Sequence, residues 1–262
     1  VLVAIGKANL EDGGDYAYGI EKIKLAAALK NFNDPMAFIY MGDLYRKLMD
    51  GGGAVSSYEN ALLKDPKSAV AKYKIGKVYL TQGNEQKDIF LGKLNGAIAD
   101  DPTFAPALYE LYVYYFFRDV VKATDFFNKY KTNADAGPAL DYEEASLQFA
   151  AGDFKNAIAK SDALLTAQGE KADARLYRLK AYSYDKLNDS AKALSFLETF
   201  FQKATTDQLI PENYYVAAVN AAKMKSDPAK VDDYFMKAIN ADTAINNKLD
   251  YAKKAADFFK KT

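Results

Sequence analysis

Three Gly-Lys pairs, Gly6-Lys7, Gly76-Lys77 and Gly92-Lys93, come nearest to a phosphate-binding loop. Such a loop cradles phosphate oxygens with backbone N–H groups, and it needs Ser or Thr after the lysine and a glycine five positions before the pair's own. Ala8, Val78 and Leu94 follow the three lysines, and no pair has the earlier glycine. Ser183-Tyr184-Asp185-Lys186 has the spacing of a serine nucleophile with a lysine base, but the companion motifs of such enzymes are missing and the spacing equally suits a helix surface. The acidic pairs Asp100-Asp101 and Asp232-Asp233 could attract a cation, yet a calcium loop alternates its oxygen ligands around a glycine, so caps and solvated helix faces are expected there. Cysteine and histidine are absent, which removes the thiol nucleophile, the disulfide, and the commonest general base and metal ligand. The residues argue against an enzyme, and no cofactor or metal is expected.

Composition narrows the partners. Thirty-five basic and 35 acidic side chains cancel over 262 residues, so the chain lacks the positive field that nucleic acid or an anionic membrane surface would require. The longest aromatic and apolar run, Tyr112 to Phe117, is far shorter than the roughly 20 residues that cross a bilayer, so no membrane insertion is expected. Half of the residues are hydrophobic, enough for a substantial core. A start at Val1 suggests that a signal segment, a tag or earlier repeats have been removed. With the absence of cysteine this points to a periplasmic or otherwise exported protein, the alternative being a cytoplasmic one.

The elements that would position any site are repeats. Met41-Gly42-Asp43-Leu44-Tyr45 recurs as Ile75-Gly76-Lys77-Val78-Tyr79, a period of 34 (76 − 42). Ala54, Tyr58, Ala61 and Pro66 complete the first full unit; Phe90, Leu94, Ala97 and Pro102 complete the second, with two extra residues accommodated near Gln82 to Lys87. Gly152-Asp153-Phe154-Lys155-Asn156-Ala157-Ile158 aligns with Asn188-Asp189-Ser190-Ala191-Lys192-Ala193-Leu194 at an interval of 36 (193 − 157). Prolines 35, 66, 102, 138 and 211 fall at unit boundaries, where helices start or stop. Asp50-Gly51-Gly52-Gly53 reads as the turn inside the first full unit, and Tyr45, Tyr79 and Tyr184 as wedges between neighbouring units.

This pattern resembles the tetratricopeptide repeat family over essentially the whole chain. The resemblance implies an all-α, right-handed α-solenoid of helix-turn-helix units over 1–262. Its approximate units are 1–34 (degenerate), 35–68, 69–104, 105–137, 138–173, 174–211 and 212–245, with 246–262 as a capping helix. In that last helix Leu249, Ala252, Ala256 and Phe259 form the apolar set, and Lys248, Lys253, Lys254, Lys260 and Lys261 surround it. The apolar start Val1, Leu2, Val3 and Ile5 suits cover by an upstream repeat or a partner and, equally, core packing. The family's tryptophan position holds Phe38, Lys72, Leu108 and Asp141 here.

The family also implies a site. Its first helices line a concave groove, and carrying over their inward positions unit by unit selects Ile39, Asp43, Arg46, Tyr73, Lys77, Tyr109, Val113, Phe116, Tyr142, Ser146, Arg178 and Tyr182. Tyr73, Tyr109 and Tyr142 occupy equivalent places and could form a ladder for a peptide; the same rings could equally pack between helices. Ile39, Asp43 and Tyr73 stand where carboxylate-clamping chaperone adaptors carry Lys and Asn, so that clamp is absent. The expected function is a scaffold that binds a protein or peptide segment, with a structural segment or homo-oligomer that binds through its ends as the alternative.

Overall fold

The computed structural model describes residues 1–133 and 138–260. Among the described residues all regular structure is helical, arranged in two compact units, Val1–Asp135 and Ala136–Thr262. The first contains α1 (Leu2–Ala8), α2 (Tyr16–Ala27), α3 (Pro35–Lys47), α4 (Gly51–Lys64), α5 (Ala69–Thr81), α6 (Lys87–Asp100), α7 (Ala105–Tyr115) and α8 (Val120–Asn133). The second contains α9 (Pro138–Ala150), α10 (Phe154–Gln168), α11 (Arg175–Lys186), α12 (Ser190–Lys203), α13 (Pro211–Lys223), α14 (Pro228–Ala241) and α15 (Ile245–Phe259). Within each unit an odd-numbered first helix pairs with the second helix that follows, and that second helix packs on the next first helix. This is the helix-turn-helix stacking of a tetratricopeptide-type solenoid.

A recurring turn makes the hairpins. Met49, Gly152, Asn188 and Lys225 take left-handed φ values of 60°, 80°, 60° and 54°. Each is followed by a residue whose N–H reaches back to close the ended helix: Asp50 to the Tyr45 carbonyl, Asp153 to Gln148, Asp189 to Tyr184 and Ser226 to Ala221. Asp50, Asp153 and Asp189 then accept a backbone N–H of the next helix, from Gly53, Asn156 and Lys192. One left-handed residue and one aspartate therefore end one helix and start another within three positions. The glycines after Asp50 are not that turn: Gly51 opens α4, and the left-handed residue is Met49. Gly53 is required for another reason, since a Cβ there would lie 2.6 Å from the Tyr45 ring. The α5–α6 connection, with its two extra residues, contains a short 3-10 turn, Asn84–Gln86, entered through Gly83 at φ 102°. The α7–α8 turn has no left-handed residue, and Phe117 projects from it at 90% exposure.

Close packing depends on the small positions. A Cβ on Gly42 would sit 2.3 Å from the Tyr58 ring, and one on Gly6 would sit 2.4 Å from Ile23, so α3–α4 and α1–α2 approach as only glycine allows. Leu2, Val3 and Ile5 are half-buried in α1 while Val1 is exposed. Tyr79 packs against two core clusters, as a wedge should; Tyr184 lies flat on Phe196 of its own second helix, ring centroids 5.5 Å apart. The last helix departs from expectation. α15 attaches through Tyr251, stacked on Tyr215 at 5.0 Å, and through Ala255 and Phe258, whereas Leu249, Ala252, Ala256 and Phe259 face outward. Residues 134–137, which end the expected fourth unit, and Lys261 lie outside the described residues.

Two substitutions check this account by chemical denaturation. Gly42→Ala forces a methyl into the Tyr58 ring and is expected to cost about 1–3 kcal/mol. Met49→Gly removes a side chain that is 91% exposed from a left-handed position and is expected to stabilise by about 0.5–1 kcal/mol.

Candidate protein-binding surface

In the first unit, α3, α5 and α7 carry the sequence-selected positions Ile39, Asp43, Arg46, Tyr73, Lys77, Tyr109 and Val113. Their polar members prove to be bridges. The Asp43 carboxylate accepts from the buried Tyr58 hydroxyl of α4 and from the Lys74 ammonium of α5, both at 2.7 Å. Burial, reinforced by the Asp43 charge, drives the Tyr58 phenol far above its ordinary range, so it stays a donor. Lys77 donates to Glu110 of α7 at 2.6 Å. Partners in both pairs sit about one repeat apart, with sequence separations of 31 and 33, so each ties one first helix to the next.

The second unit repeats the device with neutral groups. Asn213 of α13 is fully buried and donates to the Tyr182 hydroxyl of α11 at 2.7 Å, while its carbonyl oxygen accepts the Ile210 N–H. Asn220 of α13 donates to Asp185 of α11 at 2.8 Å. Tyr142 of α9 receives the Arg175 guanidinium over its ring at 4.3 Å and a long 3.5 Å contact from Arg178. Burial pushes the Asp173 carboxyl up, but hydrogen bonds from the Arg175 fork outweigh it and hold the group below its ordinary range. Ser146 turns its hydroxyl into the interior, where it makes no hydrogen bond.

The selected residues thus divide. Ile39 is buried in the core cluster that α2, α3, α4 and α5 share and presents no surface. Tyr73 is half-buried, edge-on to Phe104 at 5.5 Å. Asp43, Lys77, Tyr142, Arg178 and Tyr182 are committed to neighbouring helices. Arg46, Tyr109 and Val113 retain exposed surface, and Phe116 packs edge-on against Tyr112 beside the projecting Phe117. Sequence reasoning missed Lys74, Glu110, Asn213 and Asn220. The available signal was a complementary polar residue just under or about one period further along.

Beside Val113 lies an open hollow of about 270 Å³. Leu80, Phe90, Val113 and Tyr114 give it apolar walls, Gly83 and Asn84 form one lip, and Glu110 and Arg118 supply opposite charges. Arg118 is held over the Tyr114 ring at 4.4 Å and donates to the Tyr114 carbonyl at 2.7 Å. The hollow holds no nucleophile with an adjacent base. Ser183, the serine of the superficial nucleophile motif, is buried and donates to the Leu179 carbonyl. Among the described residues no cluster of three or more acidic, Cys or His side chains could hold a metal, and no helix is long and apolar enough to cross a membrane.

No protein-family description and no curated protein matches the chain. Solved structures do. A tetratricopeptide repeat protein from Parabacteroides merdae superposes with a TM-score of 0.65 at 17% identity, with 97% of each chain covered. The C-terminal part of a TPR repeat-containing protein from Cytophaga hutchinsonii gives 0.65 at 16% identity, covering 95% of this chain and 97% of that one. The crystal structure of the APC/C hetero-tetramer Cut9-Hcn1 gives 0.57 at 15% identity, covering 97% of this chain and 48% of the other. The chain therefore has the tetratricopeptide-repeat fold.

The bridging role of the polar positions is open to measurement. Tyr182→Phe leaves the buried Asn213 amide without its acceptor and is expected to cost about 1–2 kcal/mol in denaturant unfolding.

Proposed function

We propose that the chain is a non-catalytic scaffold that docks a segment of another protein along the first helices of its first unit. A large apolar side chain of that segment enters the hollow beside Val113. The observation that carries this reading is the hollow itself: an apolar recess flanked by the half-exposed Val113, with the Arg118 guanidinium at its rim able to meet a charge on the segment. Val113 is the sequence-selected residue that lines it. Asp43, Lys77 and Tyr73 are held by contacts within the stack, and Arg46 adds exposed cationic surface on α3.

General features of the fold support the same reading. Stacked hairpins present extended surfaces, and Cut9, which shares the fold, occurs in a hetero-tetramer with Hcn1. The polar groups of the first helices are consumed in structural bridges, which leaves little from which to assemble an acid–base site and favours recognition over reaction. Lack of cysteine and a balanced charge suit an exported protein that binds neither nucleic acid nor membrane.

A peptide library displayed on phage and selected against the full chain tests the proposal. Enriched peptides should share a large apolar residue, and Val113→Glu should weaken their binding by about tenfold or more. Lys225→Ala, in a turn of the second unit, should leave it unchanged. Failure to enrich any sequence, or binding indifferent to Val113→Glu, would refute the assignment.

A further inference from the structure

Resting on the docking assigned above, we propose that the segment held by the first unit is acidic: it carries Asp or Glu beside the apolar residue that enters the hollow and along the stretch that crosses α3 and α1. Charge on the first helices of this unit is settled by one device. A side chain on one first helix meets a side chain 31 or 33 positions later, on the next: Asp43 meets Lys74, and Lys77 meets Glu110. Both pairs are opposite in sign and cancel. Lys7 of α1 makes the same step, 33 positions (40 − 7) to Tyr40 of α3, but its ammonium finds a ring at 5.5 Å instead of a carboxylate. A ring attracts a cation through its quadrupole and leaves the charge in place. Lys7 therefore contributes a positive charge that the stack does not neutralise.

Arg46 and Arg118 add to it. Both are exposed, and the carboxylates around them are taken: Asp43 by Lys74, Glu110 by Lys77 and Asp119 by Lys122. Burial and the Glu110 charge push the Tyr73 phenol up while Arg46 opposes them, so that ring lies close both to the guanidinium and to the carboxylate that lines the hollow. Arg118 commits one N–H to the Tyr114 carbonyl at the hollow's rim. Other acids of the unit are drawn to helix starts and turns, where Asp15, Asp34, Asp50, Asp65 and Asp101 accept backbone N–H groups. The whole chain is neutral, so the excess at Lys7, Arg46 and Arg118 is local to this side of the unit.

This distribution selects the occupant. Asp43 and Glu110 stand on the same side, but each is held by a lysine, so they present no net repulsion to an anion. Cations spread over α1, α3 and the α7–α8 turn, with an apolar recess beside the last, do not make the continuous basic track that a phosphate backbone needs. A protein segment with separated carboxylates and one large apolar side chain satisfies all of them. Charges of this exposed kind set specificity and association rate more than affinity, and salt screens them.

Fluorescence anisotropy of synthetic peptides with the full chain tests the assignment. Each peptide has a central leucine or phenylalanine, flanked in one set by Asp and Glu, in another by Asn and Gln, and in a third by Lys and Arg. We expect the acidic set to bind about tenfold more tightly than the amide set at roughly 50 mM salt, with most of that advantage gone at roughly 500 mM. Lys7→Gln and Arg46→Gln should each weaken the acidic set about threefold and leave the amide set unchanged. Lys47→Gln removes the same charge next to Arg46, yet its ammonium already pairs with Asp12, so it should change neither. Equal binding of the acidic and amide sets, both weakened by Val113→Glu, would overturn the acidic preference and leave the docking itself standing. Failure of every set to bind removes both. A loss in Lys47→Gln equal to that in Arg46→Gln would reduce the effect to net charge and overturn its assignment to these residues.

Discussion

The Tyr58 ring lies where a side chain on Gly42 would be, and from that position its hydroxyl meets Asp43, which in turn holds Lys74 of the next hairpin. Close approach of two helices within one hairpin thereby aims a polar contact at its neighbour. If α3 and α4 stood a methyl further apart, the phenol would fall short, and a buried hydroxyl would lose its acceptor at a cost of about 1–3 kcal/mol. Packing and polar bridging are one arrangement here, and the small residue is its origin. Lys77–Glu110, Asn213–Tyr182 and Asn220–Asp185 are further bridges of the same kind, made with different chemistry.

This arrangement changes what a groove in such a stack can do. Polar side chains on first helices would ordinarily be the residues that read a ligand. In this chain their charges and hydroxyls are largely satisfied by the adjacent repeat, and a ligand competing for them would have to break the stack. Recognition then falls to surfaces that packing leaves over. The α7–α8 turn supplies one: without a left-handed residue to close it, the chain carries Phe116 and Phe117 past the end of α7, and Val113 and Tyr114 border an apolar recess.

Much of this was legible in the sequence because it depends on backbone geometry and on size. The 34-residue interval from Gly42 to Gly76, the Asn188-Asp189 and Gly152-Asp153 turns, and the boundary prolines each mark a place where few residue types fit. The misreadings have a common cause. Three glycines after Asp50 looked like a turn, but the turn is at Met49, and Gly53 serves contact with Tyr45, a ring several residues earlier in the sequence. Ile39 was assigned to the groove by register alone, whereas its burial depends on how α2, α4 and α5 pack around α3. Lys74 and Glu110 carried no local signal, since their partners sit about one repeat away.

The apolar set on α15 was visible in the sequence too, but not that the helix attaches through its other side. First helices such as α5 and α7 pack on two sides, on the preceding second helix and on their own. In α15 the first of these is met by Tyr251, Ala255 and Phe258, so the conspicuous set of Leu249, Ala252 and Ala256 is the other.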